Sequence, residues 1–261
     1  MKFKLTLNIN RKYGSCLPFN YQYEQSAVIY RILAQADKQY SAWLHENGYM
    51  LENGKKFKLF CYSPLLPSKF RPLTKEGCLE IISDDVVWYI SFIPERSTSE
   101  FIQGLFDRQS FVIGNRHHKV AFDIVGVEAM PSAKVSEEMI FKALSPVCIK
   151  QDDDGRVAYL SPDSQLFKQG IYKGLVSRYE SIHGHPFEGD DSEFDFQVVD
   201  KTIKSKLIAI KADTKAETRV RGFVFDFTMK APAELMQIAC EGGIGEQCSQ
   251  GFGFIKTMEQ I

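Results

Sequence analysis

Hydrophobic and polar residues alternate from the start of the chain. Phe3, Leu5, Leu7 and Ile9 fall on one side of Lys2 to Asn10, the pattern of a half-buried strand. The period then lengthens. Ala27, Ile29, Tyr30, Leu33, Ala36 and Tyr40, followed by Trp43 and Leu44, keep helical spacing until Asn47-Gly48 closes the segment; one helix, or two broken near Asp37, fit equally. Strand patterns return at Phe57 to Ser63, Cys78 to Ser83 and Val86 to Ile93, the last two joined as a hairpin through Asp84-Asp85. A helix from Pro94 to Phe106 and strands at Ser110 to Ile113 and Lys119 to Glu128 complete a first round.

The order β, α, β, β, α, β over residues 1–130 is the ferredoxin-like, RRM-like arrangement, whose open antiparallel sheet can present one face to RNA. A second round follows. Phe141 to Lys150 supplies its first strand, Pro162 to Ile182 its first helix, Val198 to Lys211 and Thr218 to Lys230 its central strands, Ala231 to Cys240 its last helix and Gly251 to Met258 its final strand. The expected fold is therefore α+β, with two tandem ferredoxin-like (βαββαβ) domains at residues 1–131 and 132–261.

Between the last helix and the last strand lie five glycines in twelve positions, 242, 243, 245, 251 and 253. Glycine is costly in ordered structure unless a positive φ or the missing Cβ is needed, so the cluster signals close backbone approach, by a polyanionic ligand or within a tight αβ turn. No Walker or dinucleotide-binding spacing is present. The strand from Arg219, the helix after Pro232 and the tail Ser249-Gln250-Gly251-Phe252-Gly253-Phe254 resemble the C-terminal signature of the RAMP superfamily of CRISPR-associated proteins. The resemblance is to its endoribonucleases, which cut precursor CRISPR RNA within repeats. It extends through Phe141-Lys142-Ala143-Leu144-Ser145-Pro146 and through Gln22 to Tyr62, and so covers most of the chain in the family's order.

The resemblance implies metal-independent cleavage by the 2′-hydroxyl, leaving a 2′,3′-cyclic phosphate and a 5′-hydroxyl, with no cofactor. It also implies the site residues. His45, in Leu44-His45-Glu46-Asn47-Gly48, matches the histidine that ends the family's N-terminal helical segment; Tyr30 matches its helical tyrosine, and Lys58 the lysine entering the next strand. Such a trio suits in-line attack, with His45 and Tyr30 as acid and base in either order and Lys58, or its neighbours Lys55 and Lys56, stabilising charge. Repeat RNA, precursor and processed, is the implied partner. Other CRISPR effector subunits and a second copy of the chain are further candidates. The alternative is a non-catalytic RNA-binding RAMP subunit, which has no need of the trio; a structural protein binding through its sheet edge is a third reading.

Charge adds a location. The net charge is −1, yet residues 1–75 carry a net of +8 and residues 201–230 a net of +5, against −11 for 76–200 and −3 for 231–261. Lys204 with Lys206, and Arg219 with Arg221, share strand faces and join Gly243, Gly245, Gly251 and Gly253 as the candidate RNA contacts. Adjacent His117-His118 point to opposite faces, and His183-Gly184-His185 lacks the companions of a zinc site. Six cysteines without a Cys-x-x-Cys pair read as reduced and mostly buried. With no apolar run of about eighteen residues and a strand at the start in place of a signal peptide, a cytosolic protein is expected.

Overall fold

A computed structural model of the protein describes residues 1–258 apart from 108, 154, 190, 200, 202 and 213. Its first sheet runs Ser110–Gly114, Lys119–Met130, Lys2–Asn10, Asp85–Phe92, Phe60–Tyr62, antiparallel throughout. Lys2–Asn10 is central because both its edges are paired, and its apolar side, Phe3, Leu5, Leu7 and Ile9, is buried. Helices α1 (Gln22–Ala36) and α3 (Glu95–Asp107) contribute Val28, Ile29, Ile32, Leu33, Phe101 and Leu105 to the same core. They cross closely at Gly104, where a Cβ would collide with the Ile32 carbonyl. Between them α2 (Lys38–Glu46) starts at Asp37, whose Oδ1 accepts from the Tyr40 amide at 2.9 Å. Of the two readings of this segment, the broken helix is the one that forms.

The second sheet, Asp195–Val198, Asp226–Lys230, Glu138–Ala143, Ile255–Met258, repeats the ferredoxin-like order. Helices α4 (Gln165–His183) and α5 (Ala233–Gly242) cover it, with Phe141, Phe167, Ile171, Phe225, Phe227, Leu235 and Ile244 inside. The two units meet at a buried seam. Tyr89 stacks on Phe254 at 6.2 Å, Cys61, Cys248 and Phe254 form one cluster, and the N-terminal amine pairs with Glu241 at 3.3 Å. All six cysteines are free and five are buried. Among the described residues no helix is long and apolar enough to cross a membrane.

Three expectations are corrected. Cys78–Ile81 does not form a hairpin with Asp85–Phe92 but joins Cys16–Pro18 and Phe70–Leu73 in a separate sheet. The reason is occupancy: Lys2–Asn10 takes one edge of Asp85–Phe92, and Phe60–Tyr62 with Leu66–Pro67 takes the other. The strand expected from Phe141 to Lys150 ends at Ala143, and Lys150–Asp153 pairs with Arg156–Tyr159. The long central strands of the second unit are each divided. Asp195–Val198 and Asp226–Lys230 enter the sheet, whereas Lys204–Ile210 and Thr218–Val224 form a two-stranded ribbon outside it, with residues 200 and 202 of the expected run outside the described set.

Candidate active site

α2 folds back along α1 because Ser41 Oγ donates to the Tyr30 carbonyl at 2.8 Å. That contact brings the exposed His45 of the last turn over Tyr30, and the two rings meet edge to face with centroids 5.0 Å apart at 81°. Tyr30 in turn leans on Phe60 of the sheet at 5.6 Å. Lys58 occupies the kink between Lys56–Phe57 and Phe60–Tyr62, where Leu59 takes φ 56°. Its Nζ donates to the His45 carbonyl at 2.6 Å, and Lys56 Nζ donates to the Glu46 carbonyl at 3.3 Å. The trio named from the sequence is thus brought together. The negative end of α2, however, is met by two ammonium groups, and Lys58 engages the histidine's backbone.

Burial, with Tyr40 adding to it, holds the Tyr30 phenol well above its ordinary pKa, so it is a neutral O–H donor. Desolvation and the neighbouring Lys56 push the Lys58 ammonium below its ordinary value. Among the described residues no three His, Cys, Asp or Glu side chains converge as a metal site. His117 receives Arg116 Nε at 2.8 Å, His118 contacts the Glu76 carbonyl at 3.1 Å, and His183 and His185 pack on Tyr179.

From Lys58 and Phe60 a groove of about 470 Å³ runs between α4 and the glycine loop. Lys55, Lys56, Lys150, Lys173 and Arg178 make its lining cationic. The sequence reading missed Lys150, Lys173 and Arg178; the signal was Gly170 and Gly174, four apart in α4, which let Ile149 and the glycine loop pack close to the helix beside those cations. Arg178 is only 4% exposed. Its Nη1 donates to the Gly174 carbonyl at 3.2 Å, while Nη2 donates to the Gly245 carbonyl and contacts Cys248 Sγ at 3.1 Å. This buried guanidinium fastens the glycine loop to α4.

The glycines themselves face protein. Gly243, Gly245, Gly251 and Gly253 are all buried, as the tight-turn alternative requires. At Gly251, with φ +91°, a Cβ would stand 2.8 Å from Gln22 Cβ and 3.3 Å from Tyr62 Cε2. At Gly245 it would meet the Cys148 carbonyl at 2.8 Å. The loop presents Glu246, Gln247, Ser249 and Gln250 to the groove, and the Ser249 carbonyl accepts from Ser26 Oγ of α1 at 2.8 Å. The basic ribbon also divides. Its register places Lys204 and Lys206 on the face shared with Ile208, Ile210 and Val220, whereas Arg219 and Arg221 lie on the other with Leu207. Arg219 pairs with Glu217 at 3.0 Å, and Arg221 Nη1 donates to Ser205 Oγ at 2.8 Å. Each pair shares a face as its strand's alternation predicts, and the two pairs lie on opposite faces of the ribbon.

Two family models match this chain: CRISPR-associated protein Cas6, N-terminal, over residues 16–122, and CRISPR associated protein Cas6, C-terminal, over residues 129–257. A relative from Methanocaldococcus jannaschii, named CRISPR-associated endoribonuclease Cas6 1, is 28% identical over 98% of this chain and 93% of its own length. A solved structure of a Cas6-related gene product from Pyrococcus furiosus superposes with a TM-score of 0.82 at 23% identity, covering 100% of this chain and 99% of that one. Another, described as an RAMP protein binding different RNA substrates, gives 0.80 at 22% identity over 99% and 100% of the two chains. With the two halves matched in order along nearly the whole sequence, the chain belongs to the CRISPR-associated Cas6 family.

Proposed function

We propose that this protein is a metal-independent endoribonuclease that cuts precursor CRISPR RNA within its repeats by attack of a 2′-hydroxyl on the adjacent phosphate. The observation that carries the reading is the convergence of Tyr30, His45 and Lys58 beside a lysine-lined groove. The relative named as an endoribonuclease and the fold neighbour described as binding RNA support it. His45, exposed at a helix end, takes the 2′-hydroxyl proton as the 2′-oxygen bonds to phosphorus. The bond from phosphorus to the 5′-oxygen breaks, and the leaving oxygen takes the proton of Tyr30, which burial keeps neutral. Lys58 offsets the charge that builds on the phosphorane. The products are a 2′,3′-cyclic phosphate and a 5′-hydroxyl.

Cleavage of the cognate repeat RNA in excess chelator tests the reading. Activity is expected to persist, to vanish when the nucleotide 5′ of the scissile phosphate lacks its 2′-hydroxyl, and to fall roughly 10²–10⁴-fold in His45→Ala with repeat binding retained. A wild-type protein that binds but never cuts is a guide-holding subunit, and cutting of the 2′-deoxy substrate rules out the 2′-hydroxyl as nucleophile.

A further inference from the structure

On the flank of α2 away from the Tyr30–His45 pair lies a second cavity, about 290 Å³, lined by Gln39, Tyr40, Trp43, Tyr49 and Arg96. Its wall is a built stack. The Arg96 guanidinium lies over the Tyr40 ring at 4.4 Å, Tyr40 stacks on Trp43 at 5.6 Å and 26°, and Tyr49 meets Trp43 edge-on at 5.3 Å. Tyr40 is buried and held by Ser97 Oγ at 2.5 Å, whereas Trp43 is 38% exposed. An exposed indole on a fixed aromatic platform, two residues before His45, is unusual for a surface that only needs solubility. It fits something flat.

We infer that this cavity is a nucleobase subsite, in which one unpaired base of the RNA stacks on Trp43 with its edge toward Gln39 and Arg96. The inference rests on the RNA-processing reading above. Charge selects the base over a phosphate, because Arg96 already pairs with Asp37 at 2.9 Å and approaches Glu100 at 4.0 Å. Gln39 and the Arg96 N–H groups remain at the rim as hydrogen-bonding partners for a base edge. The cavity is at the small end of ligand pockets, about 300–1,000 Å³, and suits one base at a time.

The chain has two tryptophans, and the other, Trp88, is fully buried, so fluorescence quenching by a ligand reports on Trp43. A short single-stranded oligoadenylate is expected to quench it. An abasic strand of equal length and charge is expected not to, and Trp43→Phe is expected to abolish the effect. Trp43→Ala, checked for an unchanged thermal melt, is expected to weaken oligoadenylate binding about 5- to 100-fold, the range that stacking of one base supplies. Equal quenching by the abasic strand, or binding seen by anisotropy without quenching, overturns the subsite and leaves the nuclease reading standing. Quenching without repeat cleavage overturns the nuclease reading alone, and no binding of the oligoadenylate overturns the subsite alone.

Discussion

Lys58 reaches His45 through the main chain: its Nζ lies 2.6 Å from the His45 carbonyl oxygen, beside a second lysine on the Glu46 carbonyl. One ammonium therefore fixes the end of the helix that carries His45, and in the proposed mechanism it also offsets charge at the scissile phosphate. Desolvation and repulsion from Lys56 lower the pKa of Lys58, and its charged form is the one the proposed mechanism uses. As pH rises through the lowered value the charge is lost, so the single-turnover rate is expected to decline below the ordinary lysine range. Lys56→Met removes the repulsion and is expected to move that alkaline limb upward; a limb that stays in place assigns it to another group.

Arg178 is a nearly buried cation, and its partners are the carbonyls of Gly174 and Gly245 and the sulfur of Cys248. Arg178→Ala leaves the buried Gly245 carbonyl without its guanidinium donor, at a cost of about 1–3 kcal/mol, while the Gly174 carbonyl keeps its place in the helical ladder of α4. The melting temperature is expected to fall, with the loop around residues 243–250 gaining the most in hydrogen exchange. A variant that melts like the wild type shows the loop held by its apolar contacts instead.

How much of this was legible in the sequence depends on distance along the chain. Lys2–Asn10 and α1 were readable because their burial follows a local period, and Asp37 is a cap that writes its own break. The pairing of Cys78–Ile81 was not, since it depends on which sheet edges remain open after Phe60–Tyr62 and Leu66–Pro67 have docked. The site divides in the same way. Tyr30, His45 and Lys58 lie within one stretch and came from the resemblance, whereas Lys150, Lys173 and Arg178 face the groove only after α4 packs beside the glycine loop. In the ribbon, alternation gave the face shared within each strand, Lys204 with Lys206 and Arg219 with Arg221, but only the register between strands decides that the two pairs show opposite faces.

The glycine loop has a revised expectation. Gly251 has φ +91°, and the place of its missing Cβ is filled by Gln22 and Tyr62 of the N-terminal unit. Gly251→Ala is expected to cost about 2–4 kcal/mol from backbone strain and overpacking together. Chemical denaturation measures the loss, and affinity per folded molecule should stay near the wild-type value. Lost affinity with intact stability would return Gly251 to direct RNA contact.

Gly174 is the opposite case, and it separates stability from binding. It lies in the interior of α4 on the lining of the cationic groove, and a Cβ there would find only ordinary contacts, Arg178 Nη1 at 3.6 Å and the Gly245 carbonyl at 3.9 Å. Alanine relieves the helix of an unfavourable residue, so Gly174→Ala is expected to gain up to about 1 kcal/mol in stability. Although Gly174 is itself buried, it belongs to the groove's wall, and a methyl there narrows the wall against which an RNA backbone would lie. If the groove is the RNA track, the variant melts higher yet binds repeat RNA more weakly, with a larger substituent at 174 weakening it further. Melting and filter-binding curves on one preparation decide it: higher stability with undiminished affinity would move the RNA path off α4 and onto one face of the Lys204–Ile210 ribbon.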